Sequence, residues 1–479
     1  MTRSMICALP LVLLPGCASP FDERGDAVLK QDELPRWVLD EWEANAPGHP
    51  KTARSRHDDD REVHSLDELI DHAVENHPSV QAAAARWHAA RHRIVQAGTL
   101  PEPELTYRIG VEQIDTDQSP IGHTVGISQM FPWFGTLERA MEVRSAEARA
   151  AAQRYVQQQL RVVGAIKTAW AEYVYLARAA EVFREQIALL NQLEPTVRAN
   201  VRTGGAGQRD LVRIEAEIDR VENDLRDAQE MIVAAAAQVN AAAGRRATAP
   251  LLSGDDASRL ENSPGQRVTD DTVALLGLLA RMNPELERLR HELAARRHEK
   301  QLAEKQYYPD IMLGVEYGID TSRRMARMMG GGSDMLMGMI GLRLPLWRDS
   351  YEAGVREAMA EWGATLRELD DRQNTLEAEL KMTIYAMRDA QRRKELFGDR
   401  LRIRAEQVLQ STRAAYRAGE ATFTDLIEAQ RELLEFELAT HRAEADRFKA
   451  IATLEEIVGR AFDTVEPVDT YHQSQERTR

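Results

Sequence analysis

The chain has 479 residues, with 62 Lys and Arg against 77 Asp and Glu, and a formal net charge of −15. This acidity argues against nucleic acid as a partner, because phosphate binding needs clustered Lys and Arg. Mean hydropathy is −0.46, and after the N-terminus no stretch approaches the ~20 consecutive apolar residues of a membrane-spanning helix.

Residues 1–17 read as an export signal. Arg3 precedes an apolar run, Met5 to Leu14, that is too short to span a bilayer, and Leu14-Pro15-Gly16-Cys17 follows. Leu-x-Gly-Cys resembles a bacterial lipobox, in which Cys17 becomes the lipidated, palmitate-bearing first residue of the mature chain. Ala18-Ser19 lacks the Asp of an inner-membrane retention signal, so the resemblance implies the outer membrane. The alternative is an ordinary signal with an incidental Cys. Cys7 leaves with the signal, so no disulfide pair remains. A lipid anchor explains the remaining Cys without a spanning segment. Residues 18–64 are a polar N-terminal segment.

The remainder is two copies of one pattern. Asn76-His77-Pro78 matches Met282-Asn283-Pro284, and Pro103-Glu104-Leu105 matches Pro309-Asp310-Ile311, both 206 residues apart. Gly204…Asp210-Leu211 matches Gly419…Asp425-Leu426, and Gly244-Arg245 matches Gly459-Arg460, both 215 apart. The first repeat covers 65–246, a linker 247–267, the second repeat 268–460 and a tail 461–479. The nine extra residues of the second copy are expected in the Gly/Met-rich stretch 320–338.

Each copy predicts a helix, a short β-hairpin, a very long helix, a Gly turn and a further helix, an α+β fold. Residues 136–200 and 350–416 are rich in good helix formers and predict helices of roughly 95–100 Å. Such length suggests an antiparallel coiled coil. Leu160, Val163, Ile166, Trp170, Val174 and Ala177 recur at three- and four-residue steps along its expected seam. A cytosolic coiled-coil scaffold would share this feature but predicts neither the hairpins nor the signal.

The hairpin segments alternate with period two. Leu105, Tyr107, Ile109 and Val111 share one face. Ile121, Val125, Ile127 and Phe131 do so in the next segment. Ile311, Leu313, Val315, Tyr317 and Ile319 follow in the third, and Leu336, Ile340, Leu342 and Leu344 in the fourth. Segments of this length and pattern fit an outer-membrane barrel; four soluble, half-buried strands are the bland alternative. Phe131, Trp133, Phe134, Tyr307, Tyr308 and Trp347 cluster at one end, like an interfacial girdle. Four strands cannot close a membrane barrel and open edges are forbidden in lipid, so membrane hairpins require a cyclic oligomer that pools strands.

Tyr416-Arg417-Ala418-Gly419-Glu420-Ala421-Thr422-Phe423-Thr424-Asp425-Leu426 resembles the periplasmic helix-turn-helix tip of the TolC family of outer-membrane efflux factors, and the resemblance extends over about 65–460. It implies a homotrimer with a 12-stranded transmembrane β-barrel, four strands from each protomer, and a hollow α-barrel crossing the periplasm. It also implies a passive channel docked to a periplasmic adaptor (a membrane fusion protein) and an inner-membrane pump of the resistance-nodulation-division type. On this reading Gly204, Arg417, Gly419 and Thr422 belong to the docking tip. Asp425, Glu428 and the first-repeat Asp210 line the pore constriction. Mutual repulsion in such a ring predicts raised carboxylate pKa values. By turn chemistry alone, Gly419 suits a left-handed helix end and Thr422 to Asp425 a capping box. That chemistry is equally that of any αα-hairpin with a solvated acidic face.

Seven of the 16 Met fall between 312 and 339, and Met335, Met337 and Met339 share a strand face; thioethers select soft cations such as Cu(I). Met is also a common packing residue. His88 and His92 stand at i, i+4 spacing, which suits Cu or Zn but also an ordinary polar face. Gln129 to Leu137 resembles the strand-to-helix junction of factors that serve copper and silver efflux pumps. Together these favour heavy-metal cargo over a multidrug or type I protein secretion duct. A periplasmic coiled-coil scaffold or metal-binding lipoprotein is the alternative outside the class. The chain carries no Gly-x-Ser-x-Gly, Walker A, His-Glu-x-x-His or Cys-x-x-Cys motif, so no enzymatic activity and no cofactor are expected.

Overall fold

The computed structural model describes residues 65–109, 121–202, 207–251, 271–320 and 335–462. Cys17, Gly204, Met325, Met328 and Met329, and the segments 18–64 and 463–479, lie outside the described residues. The chain divides into two compact units. One holds 87–149 and 291–366; the other holds 65–86, 150–290 and 367–462.

In chain order the elements are α1 (Leu66–Asn76), α2 (Pro78–Gly98), β1 (Glu104–Ile109), β2 (Ile121–Phe131), α3 (Thr136–Arg202), α4 (Gln208–Ala242), α5 (Thr272–Met282) and α6 (Pro284–Lys305), followed by β3 (Asp310–Asp320), β4 (Met335–Arg343), α7 (Arg348–Lys394), a π-helical segment (Glu395–Leu401), α8 (Arg402–Ala418) and α9 (Phe423–Val458). Both repeats therefore run helix, helix, hairpin, long leg and return helix. The strands form one antiparallel sheet in the order β1-β2-β3-β4. No helix among the described residues is long and apolar enough to cross a membrane.

The motifs that mark the repeat are the two halves of one joint. Gly244 sits with φ +72° where a Cβ would meet His77 Cδ2 at 2.9 Å and Pro78 Cδ at 3.0 Å. Gly459 sits with φ +86° where a Cβ would stand 2.4 Å from the Met282 carbonyl oxygen and 2.8 Å from Pro284 Cδ. In each repeat the end of the return helix lies against the Pro-broken corner between the first two helices. Only Gly gives both the left-handed backbone and the close approach.

The burial of α3 departs from the single seam expected of it. α3 continues through Pro195 to Arg202, beyond the expected end. Ile166, Trp170 and Val174 are buried as the periodicity required, but Val162, Tyr173 and Leu176 are buried too, while Leu160, Val163 and Ala177 are half-exposed. α3 thus packs on more than one side, and small buried residues such as Ala148, Ala152, Ala171 and Ala180 let its neighbours approach closely.

The second leg is interrupted where the first is not. At the π segment the Arg402 N–H bonds to the Phe397 carbonyl, five residues back, and Gly398 is buried with room for a Cβ only at 3.0 Å from Thr440 Cγ2. The repeat offset grows from 206 at the prolines to 212 at the starts of α3 and α7, and to 215 at Asp210 and Asp425. The nine extra residues are therefore not all in the hairpin; three lie in the leg. An i→i+5 turn takes in a residue more than an i→i+4 turn.

Ion pairs tie α3 of the first repeat to α9 of the second. Lys167 bonds Glu455 at 2.6 Å, Arg178 bonds Glu444 at 2.7 Å, and Glu172 accepts from Arg442 at 2.9 Å and from Lys449. Lys394 adds a second cation 3.0 Å from Glu444. Burial alone would raise the Glu444 carboxyl. Hydrogen bonds from His441 and Lys394 and the charges of Lys394 and Arg178 outweigh it and bring the pKa down to about 2. The folded value lies below the unfolded one, so this contribution is complete above about pH 4.5 and is lost as pH falls toward 2.

Two outcomes are expected in heat- or denaturant-unfolding of the full chain. Gly419 has φ +77° with open space around it, so Gly419→Ala costs about 1 kcal/mol, whereas Gly459→Ala adds a backbone clash and costs more than about 2 kcal/mol. Glu444→Gln costs about 2–3 kcal/mol at pH 7 and much less near pH 2; an equal effect at both would exclude the ionic origin.

Candidate functional site

The sheet register sorts its side chains into two faces. Tyr107, Val125, Tyr317 and Leu336 form one cross-strand row; Leu105, Ile127 and Val315 form the next with Gly338, and Leu313 and Ile340 continue the face. All of these large side chains are exposed. The register shifts between Ile121 and His123, so Ile121 pairs with Asp320, out of phase with the alternation expected for that strand.

Aromatic groups close both ends of this face. At one end Trp133 stacks on Tyr308 with ring centroids 5.2 Å apart, Lys305 lies 5.8 Å from the Tyr308 ring, and Phe134 and Trp347 are exposed. At the other end Tyr107 stacks on His123, and its hydroxyl lies 2.9 Å from His123 Nδ1. Sequence reading located the first cluster only. The second was hidden because its members sit on separate strands.

The opposite face is polar and sulfur-rich. Glu316 accepts from Arg108 at 2.7 Å across the intervening strand. Met337 pairs with Glu316, Met335 with Gly318, Met339 with Gly314, and Met130 with Met312, which in turn pairs with Gly341. Long side chains lie over glycines: a Cβ on Gly126 would meet Glu316 Cγ at 2.8 Å, one on Gly314 would meet Met339 Cε at 3.0 Å, and one on Gly341 would meet Met312 Cε at 2.9 Å. The structure thus brings Met335, Met337 and Met339 together and adds Met130 and Met312. Among the described residues no group of three or more His, Cys, Asp or Glu is arranged to hold a metal. His88 stacks on Trp87 rather than joining such a group, and burial, then Arg91 and His92, lower its pKa.

The two helical turns meet in the other unit. Leu190, Leu193 and Val197 of α3, Ile214 and Val221 of α4, Leu409 and Tyr416 of α8, and Phe423, Leu426 and Ile427 of α9 form one buried cluster. Gly419 ends α8 in the left-handed conformation, and Thr422 opens α9. Asp425 Oδ2 accepts from Thr422 N at 2.8 Å and from Thr422 Oγ1 at 2.7 Å, while Thr422 Oγ1 accepts from Asp425 N at 3.2 Å. Asp210 repeats half of this box, accepting from Gly207 N at 3.1 Å; Gly207 has no side chain to answer.

Asp425, Glu428 and Arg417 are exposed. The raised pKa was expected from repulsion among three copies; within one protomer the contacts of Asp425 act in the opposite direction. Side-chain and backbone hydrogen bonds from Thr422 stabilise the carboxylate and lower it. Two further links were not legible: Arg213 donates to Thr424, and Arg431 pairs with Glu217, with Nε to Oε1 at 2.9 Å. Glu217 is only 3% exposed, so the pair closes a buried contact between α4 and α9. No local pattern announces either link.

The sequence profile of the outer membrane efflux protein family matches residues 69–245 and 275–460. No curated protein matches the sequence. Among solved structures the fold is similar to the outer membrane protein VceC of Vibrio cholerae (21% identity, 83% of this chain and 96% of that one, TM-score 0.66). It is likewise similar to CusC, described as forming a transmembrane channel (15%, 83% and 92%, TM-score 0.67), and to the open MtrE outer membrane channel of Neisseria gonorrhoeae (16%, 82% and 89%, TM-score 0.65). With most of both repeats matched, this chain belongs to the outer membrane efflux protein family, whose channels are non-enzymatic ducts.

Proposed function

We propose that three copies of this chain form a lipid-anchored duct that carries soft metal ions outward, fed by a periplasmic adaptor and an inner-membrane pump of the resistance-nodulation-division type. The observation that supports the duct is the four-stranded sheet with an exposed apolar face. In water that face would be an aggregation surface; in lipid it is the outside of a barrel. Its aromatic ends, Tyr308 just before β3 and Tyr317 on β3, are nine residues apart, or at most about 30 Å of extended chain. At a tilt of about 40° this spans ~23 Å, close to the ~25 Å apolar band of outer-membrane barrels. β1 and β4 are the open edges, and three copies joined β4 to β1 give 12 strands with none unpaired. The Met-bearing face then lines the lumen, and Cys17 carries the lipid anchor.

At the tip, three copies of Asp425 and Glu428, with Asp210 beside them, form the acidic constriction, and Gly204, Arg417, Gly419 and Thr422 form the docking turns. Such a ring admits cations and repels anions. A duct for drugs or for protein is the second reading. It is favoured by the packing of the Met312 and Met339 methyls over glycines, a use of Met that needs no cargo.

In planar bilayers the protein is expected to conduct with cation preference. Glu428→Gln lowers that preference several-fold without changing the unfolding midpoint. Asp425→Asn lowers both, because the cap is worth about 1 kcal/mol. Absence of any conductance, even with both residues neutralised, would exclude the duct. Replacing Met335, Met337 and Met339 together by Leu is expected to lower cellular tolerance to silver and copper several-fold and leave dye and detergent tolerance unchanged. Equal change in all four would favour the drug reading.

A further inference from the structure

The joint between the start of α2 and the end of α4 is closed by a different side chain from its counterpart in the second repeat. Ser79 N donates to His77 Nδ1 at 3.1 Å, and the Ser79 hydroxyl lies 2.7 Å from the same nitrogen. The backbone N–H can only donate, and the hydroxyl, whose oxygen also accepts from Gln158 Nε2 at 2.9 Å, is then left to donate its proton to the same ring nitrogen. Nδ1 is therefore an acceptor and the ring proton sits on Nε2. The ring also bonds to the backbone of Ala241 near the end of α4, a contact that favours the protonated ring and so runs from ring N–H to carbonyl.

In the second repeat an amide makes the same connections. Asn283 Oδ1 accepts from the N–H groups of Glu285 and Leu286, both at 2.9 Å, and its Nδ2 donates to the Ile457 carbonyl at 2.7 Å. His77 and Asn283 are equivalent positions, each followed by the Pro that starts a helix. An amide does not titrate near neutral pH, whereas an imidazole does.

We propose that His77 is a proton-sensitive latch that holds the first-repeat joint closed when neutral and releases it on protonation, while the Asn283 joint stays closed at every pH. The geometry supplies the mechanism. A proton on Nδ1 would face the Ser79 backbone N–H, which cannot turn away, and the cap of α2 would be lost. The elements that meet at this joint carry, among other ionisable groups, His72 and Glu75 on α1, Arg154 and Arg161 on α3, and Arg245 and Arg246 beyond α4; burial and the Ala241 contact, not a neighbouring charge, act on His77. Arg161 lies 3.9 Å from Glu456, and Arg245 donates to Asn240 Oδ1 at 3.2 Å. Burial lowers the His77 pKa, and the bond to Ala241 opposes it. The folded value lies below the unfolded one, so the latch is fully present above about pH 6.5 and is lost as pH falls through the folded value.

Hydrogen exchange of residues 77–82 in the full-length protein tests this, with wild type, His77→Asn and His77→Ala compared at each pH so that intrinsic exchange cancels. At pH 8, His77→Asn should be protected like wild type and His77→Ala about tenfold less. At pH 5, wild type should be about tenfold less protected than His77→Asn. Asn283→His should transfer the same pH dependence to residues 283–288. Wild type and His77→Asn tracking together across the range, or His77→Ala matching wild type at pH 8, would overturn the proposal.

Discussion

A β-strand carries a bonding group on each side at every residue, and in hydrocarbon none can be left open. In this chain that requirement meets a sheet of four strands with free edges on β1 and β4 and one face of exposed Leu, Ile, Val and Tyr. The apolar face calls for lipid and the edges call for more strands, so the protomer is incomplete in the environment its side chains select. The polar face is shaped by the same demand: Glu316, Met339 and Met312 lie across glycines of the neighbouring strands instead of standing upright from the sheet.

The helical part solves a different problem, how to keep long legs in register. Two Gly joints, at Gly244 and Gly459, fix one end of each return helix against a Pro corner. At the other end the caps of Asp210 and Asp425 fix the turns. Between these ends the repeats are held to each other by unlike links: Lys167 to Glu455, Arg178 to Glu444, Glu217 to Arg431 and Arg213 to Thr424. Symmetric ends with asymmetric rungs let two copies of one motif build a single body whose halves are not interchangeable.

In Asp425 one side chain both closes a turn and has its charge held by that turn. Its carboxylate caps α9, and the bonds that do so keep it ionised. Glu428, one turn along and equally exposed, has no part in the cap. The turn thus holds one carboxylate by hydrogen bonds and leaves the other outside the cap.

Features that depend on neighbours in the chain were determined by the sequence alone. The period-two strands, the long helical legs, the Gly turn at 419 and the Thr422–Asp425 box were all legible, because each is set within a few residues. The repeat was legible because its anchors recur at constant offsets, although only the fold revealed that the Gly-Arg and x-Pro motifs touch. The packing of α3 on more than one side, the π segment at 395–401, the second aromatic end at Tyr107 and His123, and the pairing of Glu217 with Arg431 were decided by tertiary structure. Each joins residues far apart in the chain or breaks the local period, and a contact across some 200 residues leaves no mark on either partner's immediate sequence.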